Sequence, residues 1–192
     1  MRLIRKLFRE FLDRVLIPLL VYIQCRVGVG LPARTIHQEL AMRVAADCAE
    51  YVETHMPRAL QFIKREELWN YAWGKKNPAG LIAEFGVWNG YSINRFAQKT
   101  TDVIYGFDEP FAFIHIDCDT YESTLLVLDL LEPRIPVDVL IVFDEYLGYR
   151  GWREGEYKAW QEFVNRTGMT YEYLGFSSTG KVATRVTQIA SA

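Results

Sequence analysis

The segment Glu84-Phe85-Gly86-Val87-Trp88-Asn89-Gly90-Tyr91-Ser92 closes a short apolar run and opens a helical one. Glycines at Gly86 and Gly90 let the backbone come close to a ligand, and the helix that follows offers free N–H groups. Glu84 can accept hydrogen bonds from a cationic or amino group. The spacing is E-x-G-x-x-x-G, which is not the G-x-G-x-x-G of dinucleotide sites. Trp88 stands where a glycine would be needed, and a pyrophosphate does not fit easily against an indole. The plain alternative is a glycine-bearing strand-to-helix turn such as any α/β protein contains. Asp108 lies 24 positions after Glu84, at the end of a second apolar run. In adenosine sites an acid at that place holds the ribose hydroxyls, whereas a lone Asp after a strand is usually a turn or cap residue.

A second constellation joins Phe113-Ile114-His115-Ile116-Asp117-Cys118-Asp119 with Val142-Phe143-Asp144-Glu145-Tyr146. Both put carboxylates at the carboxyl end of an apolar strand. If the two strands are neighbours, Asp117, Asp144 and Glu145 converge on one rim, and three hard oxygen ligands completed by water suit Mg2+ or a similar cation. The alternative is that strand-end acids cap the next helices, as Asp119 or Thr120 could at 122–131. Alternation puts His115 on the face of Phe113 and Asp117, either pointing into a cleft or satisfied in the core. Residues 144–157, with Tyr146, Tyr149 and Trp152, form an aromatic loop that covers a substrate or packs on the surface. No Ser/His/Asp or Cys/His arrangement stands out.

The elements that must position these residues follow from periodicity. Residues 35–71 show apolar positions at helical spacing with a break at Pro57, and nothing there resembles a strand. Strands are expected at 81–86, 103–107, 111–117 and 138–143, with helices at about 92–99, 122–131 and 154–165. This β-α rhythm predicts a doubly wound, mostly parallel α/β sheet of Rossmann-like kind, with ligands at the carboxyl ends of its strands. Residues 171–176 and 181–189, separated by Ser177-Ser178-Thr179-Gly180, predict an antiparallel hairpin at the sheet edge. One junction breaks the rhythm. Only Asp108, Glu109 and Pro110 separate 103–107 from 111–117, and parallel neighbours need a crossover of about a dozen residues. Either the excursion is antiparallel or a β-α unit is absent from the chain.

The 192 residues suit one hydrophobic core. Half are hydrophobic and 24% charged, which removes intrinsic disorder from consideration. Lys+Arg of 22 against Asp+Glu of 24 gives a net charge of -2, so no bulk positive field drives binding to nucleic acid. Cys25, Cys48 and Cys118 are odd in number and lack a CxxC, which argues for a reducing, cytoplasmic setting. Residues 1–23 are basic and then apolar, but the apolar run is about half a membrane span and contains Pro18. They read as a helical appendage that packs on this domain or a partner subunit, with contact to a membrane surface as the lesser alternative. The division expected is a helical extension over 1–75 and a Rossmann-like domain over 76–192.

The runs LIAEFGVWNGYSINRFA, VIYGFD, FAFIHIDCDTYEST, VLIVFDEYLGYRGWREGEYKAWQEF and YEYLGF together resemble the class I S-adenosylmethionine-dependent methyltransferases of the macrocin O-methyltransferase type. The upstream FIKREELWNYA is similar to that family's lead-in helix, and the matching stretches span about 62–176. The resemblance implies a Rossmann-like sheet with a reversed final hairpin and a metal-assisted O-methyl transfer. It puts Glu84, Phe85, Gly86, Val87, Trp88, Gly90 and Ser92 around S-adenosyl-L-methionine, with Asp108 on the ribose. It puts Asp117, Asp144 and Glu145 where the metal ligands, Mg2+ by expectation, are held, with Asp144 assigned to catalysis. In the family a long segment with a strand and a helix follows YGFD, and this chain lacks it, so part of the adenine pocket is expected to be missing. The expected activity is methyl transfer to a small hydroxylated acceptor such as a sugar or glycosylated metabolite, by a protein that forms a homo-oligomer or none. Two rivals stand beside it: a truncated, inactive methyltransferase-fold interaction protein, and a nucleotide-sugar transferase in which Asp117-x-Asp119 is a metal-binding DxD.

Overall fold

A computed structural model describes residues 35–87, 89–97 and 109–189. The expected N-terminal appendage, Trp88, the strand at 103–107 and Asp108 lie outside the described residues. The chain divides into two units, Met1–Glu39 and Leu40–Ala192. Of the first, only Thr35–Glu39 is described, where the helix α1 (Ile36–His55) begins.

In the second unit β1 (Leu60–Phe62) and α2 (Arg65–Lys75) follow α1. Then come β2 (Leu81–Phe85), α3 (Tyr91–Ala97), β3 (Phe111–Ile116), α4 (Tyr121–Leu131), β4 (Leu140–Phe143), α5 (Glu156–Thr167), β5 (Thr170–Ser177) and β6 (Val182–Gln188). The six described strands form one mixed sheet in the order β1-β5-β6-β4-β3-β2. β2, β3 and β4 are parallel neighbours, so their carboxyl ends share one edge. β6 runs antiparallel to both β4 and β5.

β4 is apolar throughout, and β3 is apolar except for His115, because both of their faces are covered. Ile114, Ile116, Ile141 and Phe143 pack with Leu128 of α4 and with Trp160 and Phe163 of α5. On the opposite face Phe113, Leu140, Val142 and Ala183 pack with Leu68, Trp69 and Ala72 of α2. The 3.6-residue period of α5 brings Ala159, Trp160, Phe163 and Val164 onto the buried side. Thr120, not Asp119, caps α4, its hydroxyl accepting from the Ser123 amide, and this leaves Asp119 uncommitted to the cap.

Two expectations are corrected. The region 35–71 is not wholly helical, since Leu60–Phe62 pairs parallel to β5 at Gly175–Ser177. The hairpin is also not at the edge: β6 lies inside the sheet and β5 is covered by β1. Phe62 and Leu60 come so close to β5 that a Cβ at Gly175 would stand 2.8 Å from the Phe62 ring and 2.9 Å from the Leu60 carbonyl oxygen.

Tyrosine hydroxyls tie this sheet to α1. Tyr173 Oη lies 2.7 Å from the hydroxyls of Tyr51 and Tyr146 and 3.0 Å from that of Tyr171. Gln161 Nε2 donates to Tyr146 and Tyr171. Asp47 accepts from the Trp152 indole at 2.8 Å and pairs with Arg153, anchoring the aromatic loop after β4 against α1.

Candidate functional site

Strand register builds the site. Glu84 of β2 is the register partner of His115 of β3, which is in turn the partner of Val142, so Glu84 and His115 share the sheet face covered by α2. The ladder continues past the strand ends: the Asp117 amide donates to the Phe85 carbonyl at 2.8 Å, and the Asp144 amide to Ile116 at 2.9 Å. These bonds bring the acidic strand ends together at the carboxyl edge.

Gly86 is required here by the chain itself. Its φ is +92°, and a Cβ would stand 1.6 Å from the Asp117 carbonyl oxygen. The expectation that a side chain at Gly86 would crowd a ligand is therefore replaced: it would first strike β3. Gly90 also has a positive φ, +76°, and Val87 between them is exposed. Asn89 Oδ1 accepts from the Tyr91 amide at 3.0 Å, closing the turn into α3.

Glu84 is almost completely buried, its side chain 1% exposed. Its Oε1 accepts from the Ser92 hydroxyl and lies 3.0 Å from His115 Nδ1. Its Oε2 is buried and has no hydrogen-bond partner among the described residues. His115 is also buried, with the Trp69 ring edge-on at 5.3 Å, and its Nε2 faces Asp144 Oδ1 at 3.7 Å, an ion-pair distance. Burial opposes charge on this imidazole, but its interactions with Asp144 and Glu84 prevail and lift its pKa to about 9. Two carboxylates thus flank this buried imidazole and favour its charged form.

Asp144 meets a second cation: Lys181 Nζ is 3.0 Å from its Oδ2. Burial would raise the Asp144 pKa, but His115 and Lys181 hold it below the usual carboxylate range. Asp117 is raised by burial and by the charge of Asp144, and Glu145 by burial and the charge of Asp119. Glu156, at the start of α5, is wholly buried beneath this rim. The Cys118 amide donates to its Oε1 at 3.2 Å and the Glu145 amide to its Oε2 at 2.9 Å. Burial pushes the Glu156 carboxyl up to about 8 against those two donors. A groove of about 470 Å³ opens alongside, lined by Asp119, Tyr121, Tyr149 and Lys158 among others.

The structure therefore gathers Glu84, Gly86, Ser92, Asp117, Asp144 and Glu145 at one edge. It does not make the three acids a metal site. Among the described residues no three His, Cys, Asp or Glu side chains are placed to hold one ion. Both oxygens of Asp144 already face cations, so the donor set does not fit a divalent ion. Sequence reasoning missed Lys181, Glu156 and the pairing role of His115. The signal for Lys181 lay in the register: Phe143 pairs with Val182 across β4 and β6, which makes the residue after Phe143 face the one before Val182.

No family model matches this chain, and no curated protein matches it. A solved structure similar to it is the apo form of CalS11, a TDP-rhamnose 3'-O-methyltransferase of calicheamicin biosynthesis. The similarity covers 84% of this chain and 90% of that one, at 16% identity and a TM-score of 0.35. At those values the likeness carries no weight for fold or function. Among the described residues no helix is long and apolar enough to cross a membrane.

Proposed function

We propose that the chain is an S-adenosylmethionine-dependent O-methyltransferase acting on a small hydroxylated acceptor. One observation carries the reading. Glu84 Oε2 is buried and unpartnered at the carboxyl end of a parallel strand, immediately before an exposed glycine turn. A carboxylate oxygen left dry among the described residues favours a site for a donor, and an amino-acid ammonium supplies one. The order of motifs from LIAEFGVWNG to VFDEY, which resembles the methyltransferases, supports adenosylmethionine as the molecule bearing it.

In this reading Ser92 and His115 orient Glu84, and Glu84 receives the ammonium. Phe85, Gly86, Val87 and Gly90 line the methionine side, with Trp88 and Asp108 assigned to the same ligand. Adenosylmethionine held there would supply a sulfonium-activated methyl group for an acceptor oxygen, with the acceptor's proton left for this chain to take up. Asp117 and Glu145 bind a proton more readily than exposed carboxylates, and this rim takes the proton. The groove beside Asp119 holds the acceptor against it.

Calorimetric titration of the purified chain with adenosylmethionine tests the reading. One molecule bound per chain is expected. A folded chain that gives no binding heat at several temperatures overturns it.

A further inference from the structure

We propose that Lys181 is the resident cation of the carboxylate rim, standing where a divalent ion would otherwise be held, and that the rim takes no metal. Lys181 immediately precedes β6, whose antiparallel register with β4 sets it beside Asp144. Its ammonium is 3.0 Å from Asp144 Oδ2, and the two side chains are only 14% and 7% exposed. Asp117 and Glu145, the other two carboxylates expected to ligate a metal, also feel this positive charge, which opposes the rise that burial gives their pKa values. The remaining oxygen of Asp144 faces His115. A divalent ion would have to displace Lys181 from its partner and leave an ammonium without a counter-charge in a nearly dry site, which is strongly unfavourable.

The chemical consequence rests on the methyl transfer proposed above. One positive charge, already shared among carboxylates, acidifies a bound hydroxyl far less than a divalent ion does. The acceptor must then bring its own acidity, which favours a phenolic hydroxyl over that of a sugar.

The test is equilibrium Mn2+ binding followed by the electron paramagnetic resonance of the free ion, with wild-type chain, Lys181→Met and Lys181→Arg, each checked for folding by circular dichroism. Wild type and Lys181→Arg should leave the free Mn2+ signal unchanged, whereas Lys181→Met, with its carboxylates lacking their counter-ion, should take up one ion per chain. One Mn2+ bound per wild-type chain overturns the proposal. So does a folded Lys181→Met chain that binds none, because Lys181 would then not be what closes the rim. Should Lys181→Met fail to fold, the wild-type titration still decides the claim that no metal binds, and Lys181→Arg reads whether charge alone keeps the ion out. The readout needs no adenosylmethionine, so its failure is distinct from failure of the methyltransferase reading. Transfer to a sugar hydroxyl that requires added Mg2+ would also overturn it.

Discussion

A charged histidine sealed between two carboxylates makes stability depend on pH. In the folded chain the pKa of His115 is raised to about 9 from an ordinary 6.5. Its contribution is therefore fully present below about pH 6.5 and is lost as pH rises through about 9. Urea unfolding of wild type and His115→Gln should differ by on the order of 1–3 kcal/mol near pH 6, with the gap narrowing toward pH 10. A gap constant over that range would mean that His115 is neutral throughout. Alternation in the sequence already placed His115 on the face of Asp117, but its two partners sit on β2 and after β4. Pairing of this kind is visible only when strand order is known. Lys181 reads locally as the end of a turn, and Glu156 as one more charge in a helical stretch. Each acquires its role from the element folded against it.

At the scale of elements, the close approach of β2 and β3 sets the geometry of the whole edge. Gly86→Ala would place a methyl group inside the Asp117 carbonyl at a left-handed backbone position. The variant should lose at least about 3 kcal/mol of stability in urea melts, and wild-type stability would show that the strand ends do not meet as described. The strands β2, β3 and β4 were legible to within about two residues because strands covered on both faces read as mainly apolar runs, broken here only by Glu84 and His115. The helices α4 and α5 were legible from their period and their turns. β1 was not. Three residues are too few to show alternation, and Leu60–Phe62 is a strand only because β5 offers an open edge and Gly175 clears space for it. The hairpin was legible as a pair, but its insertion between β4 and β1 depended on pairings far apart in sequence.

For the molecule as a whole, the covered sheet places two different sets of groups along one carboxyl edge. On one side is the dry carboxylate of Glu84 above its glycine turn, and on the other the rim of Asp117, Asp144 and Glu145 with its ammonium. The tyrosine hydroxyl web through Tyr51, Tyr146, Tyr171 and Tyr173 fixes α1 and the aromatic loop around the base of that rim. In the methyl transfer proposed above labour is divided, with Glu84 assigned to the cofactor and the rim to the acceptor. Its most direct test is adenosylmethionine affinity, measured by calorimetry in parallel for wild type, Glu84→Gln and Asp144→Asn. The account predicts that Glu84→Gln weakens binding by about tenfold or more, the loss of a charge-assisted hydrogen bond, while Asp144→Asn stays within about twofold of wild type. Equal affinity in Glu84→Gln and wild type, or an equal loss in both variants, would contradict it.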